Sequence, residues 1–223
     1  MKKTLITVAL LICAGSTFAD TSTLLKVNGK LTNAACAPEL EGGGIVDYGY
    51  VHLSGLSASE DNILTQKKVK LTINCTAPTK VSFSATDDRA DSRPAKVLKT
   101  LGWNDTGTMT PAPAYVFGVG TTTEGVKIGN YALVAVKGTV DGKSTYILRR
   151  TNNSAWGSAN DMLVANTQDS EITVAEAGGS APASFNTATF TLKVNLTVED
   201  TDTLNITDDT PIDGQTTFTL NYL

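Results

Sequence analysis

Few residues of this sequence have the chemistry to act on a substrate, and their spacing argues against most reactions. His52 is the only histidine in 223 residues. A serine- or cysteine-based catalytic arrangement would have to run through it. Its neighbourhood, Tyr50-Val-His-Leu-Ser54, reads as a strand edge or loop, so His52 is assigned a structural role. Asp87-Asp-Arg-Ala-Asp-Ser-Arg93 and Asp200-Thr-Asp202 with Asp208-Asp209 contain oxygen ligands of the kind calcium takes. Neither has the spacing of a calcium loop, and both are read as solvated turns. Gly42-Gly-Gly44 precedes no lysine and no helical pattern, so it is a turn and no phosphate cradle. No catalytic, cofactor-binding or metal-binding residue is assigned, and the chain is not read as an enzyme.

The remaining reactive groups are thiols, and their meaning depends on compartment. Met1 to Ala19 has the form of a secretory signal: Lys2 and Lys3, an apolar run from Leu5 to Ala14, then small residues at Thr17-Phe-Ala19. That run is shorter than the about 20 residues a spanning helix needs. Cleavage after Ala19 removes Cys13 and leaves Cys36 and Cys75, an even pair in an exported chain, which reads as one disulfide. Loss of Lys2 and Lys3 takes the net charge from −4 to −6. That modest, dispersed excess makes nucleic acid and acidic membrane surfaces poor partners.

The elements that must carry these residues have the period of strands. Leu25, Val27, Gly29 and Leu31 alternate with Lys26, Asn28 and Lys30; Val69, Leu71, Ile73 and Cys75 alternate with Lys68, Lys70, Thr72 and Asn74. Val81, Phe83 and Ala85 resume the pattern after Ala77-Pro78. From Ala188 to Val198 the even positions are apolar, while Thr189, Thr191, Lys193, Asn195 and Thr197 face the other way. One-sided alternation predicts antiparallel strands with one face on a core and one in water. Asp141-Gly142 predicts a hairpin turn between Tyr131–Val136 and Lys143–Leu148. Loop-like stretches enlarge the middle from Asp87 to Pro182, which carries Trp103, Tyr115, Phe117, Tyr131, Tyr146 and Trp156. Most of these aromatics are expected in the core, with one or two exposed rings able to stack on a sugar. No helical spacing is sustained. The expectation is an all-β Greek-key sandwich, one domain over residues 20–223.

The chain closes on another alternating strand, with Thr216, Phe218, Leu220 and Tyr222 on one face and Leu223 at the end. Three features then stand in order: Leu24-Leu-Lys-Val-Asn-Gly-Lys-Leu-Thr-Asn-Ala-Ala-Cys36, a second cysteine ending an alternating strand, and a penultimate tyrosine in an apolar last strand. In this the chain resembles the subunits of chaperone–usher pili, and most of all the fimbrial-like proteins of enterobacterial usher operons. The resemblance covers the mature chain from end to end.

The resemblance implies an incomplete immunoglobulin-like sandwich, the pilin fold, with a hydrophobic groove beside the first and final strands. Leu25, Val27 and Leu31 would border it on one side, and Thr216, Phe218, Leu220 and Tyr222 on the other. It implies a periplasmic pilus chaperone that fills the groove with its own strand and holds the Leu223 carboxylate through basic residues. An outer-membrane usher would then exchange that strand for one from a neighbouring pilus subunit, and the product would lie in a fimbrium at the cell surface. The glycine that the family pattern places near Thr210 is missing, and Gly214 is the nearest. Only Asp20-Thr-Ser-Thr23 precedes the first alternating segment. Unless Leu24 to Leu31 itself donates, the expectation is a minor or tip subunit. The alternatives are a tip adhesin that binds a surface ligand, such as a glycan, through the middle loops, and a secreted enzyme on a β-sandwich.

Overall fold

In the computed structural model the described residues are 35–159 and 161–223. The expected signal segment and the alternating segment with Leu25, Val27 and Leu31 lie outside them. The principal strands are β1 (Cys36–Leu40), β2 (Lys67–Thr79), β3 (Val81–Asp87), β4 (Gly129–Val140), β5 (Ile147–Thr151), β6 (Ser170–Val174), β7 (Phe185–Val198) and β8 (Thr216–Tyr222). They form two antiparallel sheets. The first runs β1-β2-β7-β4 and ends on the short strand Met162–Leu163; the second runs from Gly157–Ala159 through β5-β6-β3 to β8. The molecule is an all-β sandwich closed by the disulfide Cys36–Cys75.

Local chemistry explains where the chain changes sheets. β2 runs on through Ala77 and Pro78, and the chain passes at Lys80 into β3 on the opposite sheet. Asp141 and Gly142 turn the predicted hairpin with φ of 46° and 82°. Two successive positive φ values are the conformation that matches the strand twist. The Asp141 carboxylate also accepts from the Asn186 and Thr187 N–H groups at 3.1 and 2.9 Å, fastening the turn to the start of β7. The returning strand is split: Lys143–Thr145 pairs with β4, and β5 from Ile147 joins the other sheet.

Inward rows from both sheets interdigitate as the alternation requires. Leu71, Ile73, Phe83, Ile147, Ile172, Phe190 and Leu192 are fully buried. Phe83 stands edge-on to Phe190 and Phe218, with centroids at 4.9 and 5.7 Å. The outward face of β7 departs from the expected solvated one, because Lys193, Asn195 and Thr197 are buried. A small hairpin, Thr100–Leu101 with Thr108–Met109, packs over this end of the strand. Lys193 Nζ donates to Asp105 Oδ1 at 2.7 Å and to the Trp103 carbonyl at 3.1 Å, and this pairing compensates its burial. The stretch 87–182 therefore supplies β4, β5 and β6 to the sandwich as well as loops. Phe117 and Tyr131 stack in the core at 5.1 Å, while Trp103 and Tyr146 are half exposed.

Candidate functional site

Among the described residues β8 is bonded along a single edge. Its residues Thr216 to Tyr222 pair with Asp87 to Val81 of β3, and β8 is the last strand of its sheet. Among the described residues its other edge has no strand partner. The row expected to face inward does so unequally. Phe218 and Leu220 pack half-buried against the core, and the Thr216 hydroxyl shares a hydrogen bond with the Tyr131 hydroxyl. Burial pushes the Tyr131 phenol above its ordinary range. Tyr222 is a correction to the expected buried row: it is 57% exposed, and its hydroxyl accepts from the Cys36 N–H at 2.9 Å. Leu223 is also exposed.

Facing β8 across a gap is a segment that sequence reasoning missed. After β1 the chain bends through Gly42, Gly43 and Gly44, with φ of 64°, 69° and 80°, and goes on toward Val194. It then runs past Ile45 (φ −89°, ψ 123°) to His52 (φ −77°, ψ 125°), extended at both ends yet in no sheet. Among the described residues no main-chain partner bonds the N–H or C=O groups of residues 45–51. Side chains hold the segment instead. Val46 and Tyr48 pack on the core, and the Tyr48 hydroxyl donates to the Val194 carbonyl at 3.1 Å. Desolvation pushes the Tyr48 phenol up to about 12. The visible signal was the alternation of Val46 and Tyr48 with Ile45, Asp47 and Gly49 after the glycine turn.

Between these walls lies an apolar groove of about 260 Å³ whose floor includes Val69, Leu133, Leu192, Val194 and Leu196. Val46, Tyr48 and Ile212 also border a wider cleft of about 880 Å³, walled by residues 45–56 and 206–212. Exposed large apolar residues gather on the same rims: Ile45 (78%), Tyr50 (89%), Leu53 (37%) and Ile212 (38%). Apolar rims over a core-lined slot are the mark of an unfinished or binding surface. Among the described residues both walls also present main-chain groups without a partner, which an extended chain could bond on both of its edges. Floor side chains on β7 at Leu192, Val194, Leu196 and Val198 repeat about every 6.7 Å, the repeat of an added strand's inward side chains.

The acidic motifs singled out from the sequence frame the approach to β8. Asp87 is buried; its carboxylate accepts from the Arg89 and Gly118 N–H groups at 2.9 and 3.0 Å. Burial pushes its carboxyl up, and those two donors with Arg93 act in the opposite direction. Arg89 pairs with Asp213 at 2.9 Å, and the Asp213 N–H donates to the Val119 carbonyl at 2.8 Å. Asp200 caps the single helical turn Thr201–Leu204, accepting from the Thr203 N–H at 2.7 Å. Among the described residues no acidic, histidine or cysteine cluster could hold a metal ion. His52 sits exposed on the rim of the wide cleft. Gly214, close to the expected glycine position, has a packing reason to lack a side chain. A Cβ there would lie 2.8 Å from Tyr131 Cε1 and 3.3 Å from the Gly118 carbonyl oxygen.

Comparison with known proteins adds relatives to this geometry. A family model described as "Protein of unknown function (DUF1120)" matches residues 25–132. Protein GltF of Escherichia coli (strain K12) is 30% identical over 262 aligned positions, covering 100% of this chain and 99% of GltF. The uncharacterized protein YhcF of the same strain is 29% identical over 138 positions, 56% of this chain and 57% of YhcF. With a match that runs the length of both chains, this protein belongs to the same family as GltF, and the DUF1120 model covers its first half.

Proposed function

We propose that this chain is a structural subunit of a chaperone–usher fimbria, an incomplete immunoglobulin-like sandwich completed by a strand from another protein. The observation that carries the reading is the apolar groove between the outer edge of β8 and the extended segment 45–51, neither of which has a main-chain partner there among the described residues. An added strand would bond to both edges and cover Leu192, Val194, Leu196 and Phe218. In the periplasm that strand comes from a pilus chaperone, with Leu223 offered to its basic residues. At the outer-membrane usher it is replaced by a segment of a neighbouring subunit. The row Leu25, Val27 and Leu31, expected above to border the groove, also has the alternation a donated segment needs; a subunit that does not donate it is a minor or tip component. Support also comes from the apolar groups gathered on the groove rims, which an isolated soluble subunit would expose to aggregation.

The test is co-expression. The mature chain should be recovered from the periplasm in good yield only with a pilus chaperone, as a one-to-one complex. Equal yields of a monodisperse monomer without any partner would overturn the reading. A second reading, a tip adhesin, is favoured by Trp103 and Tyr146, half exposed on the enlarged middle at 50% and 51%. Binding to a glycan array that disappears in a Trp103→Ala variant would establish it.

A further inference from the structure

We propose that the Tyr222 hydroxyl is a stop that sets how far an added strand can run along the groove, an inference that rests on the strand-acceptor reading above. Residues in an antiparallel ladder turn both main-chain groups toward one neighbour, and the next residue turns them away. Ala35 faces β2: its carbonyl accepts from the Thr76 N–H at 2.9 Å, and its N–H donates to Thr76 Oγ1 at 3.1 Å. Cys36 therefore faces the other way, toward β8, where its N–H meets Tyr222 Oη at 2.9 Å. Pro38 shares that outer edge and has no N–H to give. The outer edge of β1 thus offers an incoming strand no donor at Cys36, which Tyr222 occupies, nor at Pro38.

The same contact ties β1 to β8 past the disulfide-side end of the groove, whose lining reaches Leu40 and Phe218. Among the described residues, Cys36 N–H to Tyr222 Oη is the only hydrogen bond between residues 35–56 and residues 205–223. Behind it the chain stays tied down to its last residue, because the Leu223 N–H donates to the Lys80 carbonyl at 3.1 Å. At the other end the walls stand apart around the cleft beside Ile212. A strand therefore lies in a slot open at the Ile212 end and shut at the disulfide end. Tyr222 is a positioning residue in this scheme. Its hydroxyl withholds a main-chain donor and fixes the register of whatever enters.

The test uses the disulfide-intact mature chain and synthetic peptides of residues 22–33, shortened or extended at either end in two-residue steps. For the wild type, affinity should stop rising at a limiting length. Tyr222→Phe, which keeps the ring, should move that limit outward by about two residues, one repeat along a strand edge. Without peptide, the same variant should speed amide exchange at Cys36 about tenfold, the worth of one hydrogen bond. Pro38→Ala should extend the limit further in the Tyr222→Phe background and leave it unchanged alone. An unaltered limiting length, or unaltered exchange at Cys36, in Tyr222→Phe overturns the stop while leaving the groove intact. Failure of every peptide to bind the wild type overturns the strand-acceptor reading, and the stop with it.

Discussion

Phe218 is where folding and the proposed partner binding meet, and truncating it tests both. Its ring lies on the floor side of β8, edge-on to Phe83 at 5.7 Å, and borders the groove. Complete burial of a phenylalanine makes truncation to alanine cost about 3–5 kcal/mol. Phe218 is half-buried, so about half of that remains, some 2 kcal/mol, within which the aromatic pair accounts for about 0.5–1.5 kcal/mol. Phe218→Ala should therefore lower stability by about 2 kcal/mol, and Phe218→Leu by less than half as much. Urea unfolding of the disulfide-intact protein measures this from the midpoint shift at constant slope. Under the proposed function the ring also covers an added strand, so Phe218→Ala should reduce recovery of a chaperone complex more than its stability loss alone predicts. The reasoning fails if the alanine variant loses less than about 0.5 kcal/mol, the range of an ordinary surface site.

Other perturbations read other parts of the design. Gly214→Ala pushes a methyl group into Tyr131, 2.8 Å away, and should cost about 1–3 kcal/mol; Tyr131→Leu should recover part of the loss in a double-mutant cycle. Replacing Cys36 and Cys75 by serine removes a cross-link between residues 39 apart and should lower the unfolding free energy by about 4 kcal/mol, read as a shifted urea midpoint. Asp87, its carboxyl raised by burial, holds its proton to higher pH in the folded than in the unfolded chain. Its stabilising contribution is present below the unfolded pKa and is lost as pH rises through the folded one. Asp87→Asn should therefore flatten the fall in stability with rising pH just above the ordinary carboxylate range, measured by unfolding across a pH series.

Period-two alternation was enough to predict β2, β3, β7 and β8, because a strand with one buried face records that burial in every second residue. The Asp141-Gly142 turn was equally readable, since few residue pairs tolerate two positive φ values. Cys36 and Cys75 are the only thiols beyond the expected signal segment, and that isolation predicted their bond. Sequence alone also named Phe218 and Leu220 as core-facing, being local consequences of the same alternation.

What it left open was decided by contacts between distant segments. Asn195 and Thr197 look like solvent-facing positions, and segments distant in sequence cover this face of β7: Gln66 donates to Asn195 Oδ1 at 2.9 Å, and the hairpin of Thr100–Met109 packs on the strand. Tyr222 reads as the last member of an inward row; the approach of β1, brought across by the disulfide, makes its hydroxyl a partner for Cys36 instead. The groove itself is a property of no single stretch. Segment 45–51 has too little pattern to be read as a wall, and β8 has the same sequence whether its second edge is paired or bare. Whether a strand edge is satisfied depends on which other segment reaches it, and that is settled by how the two sheets pack.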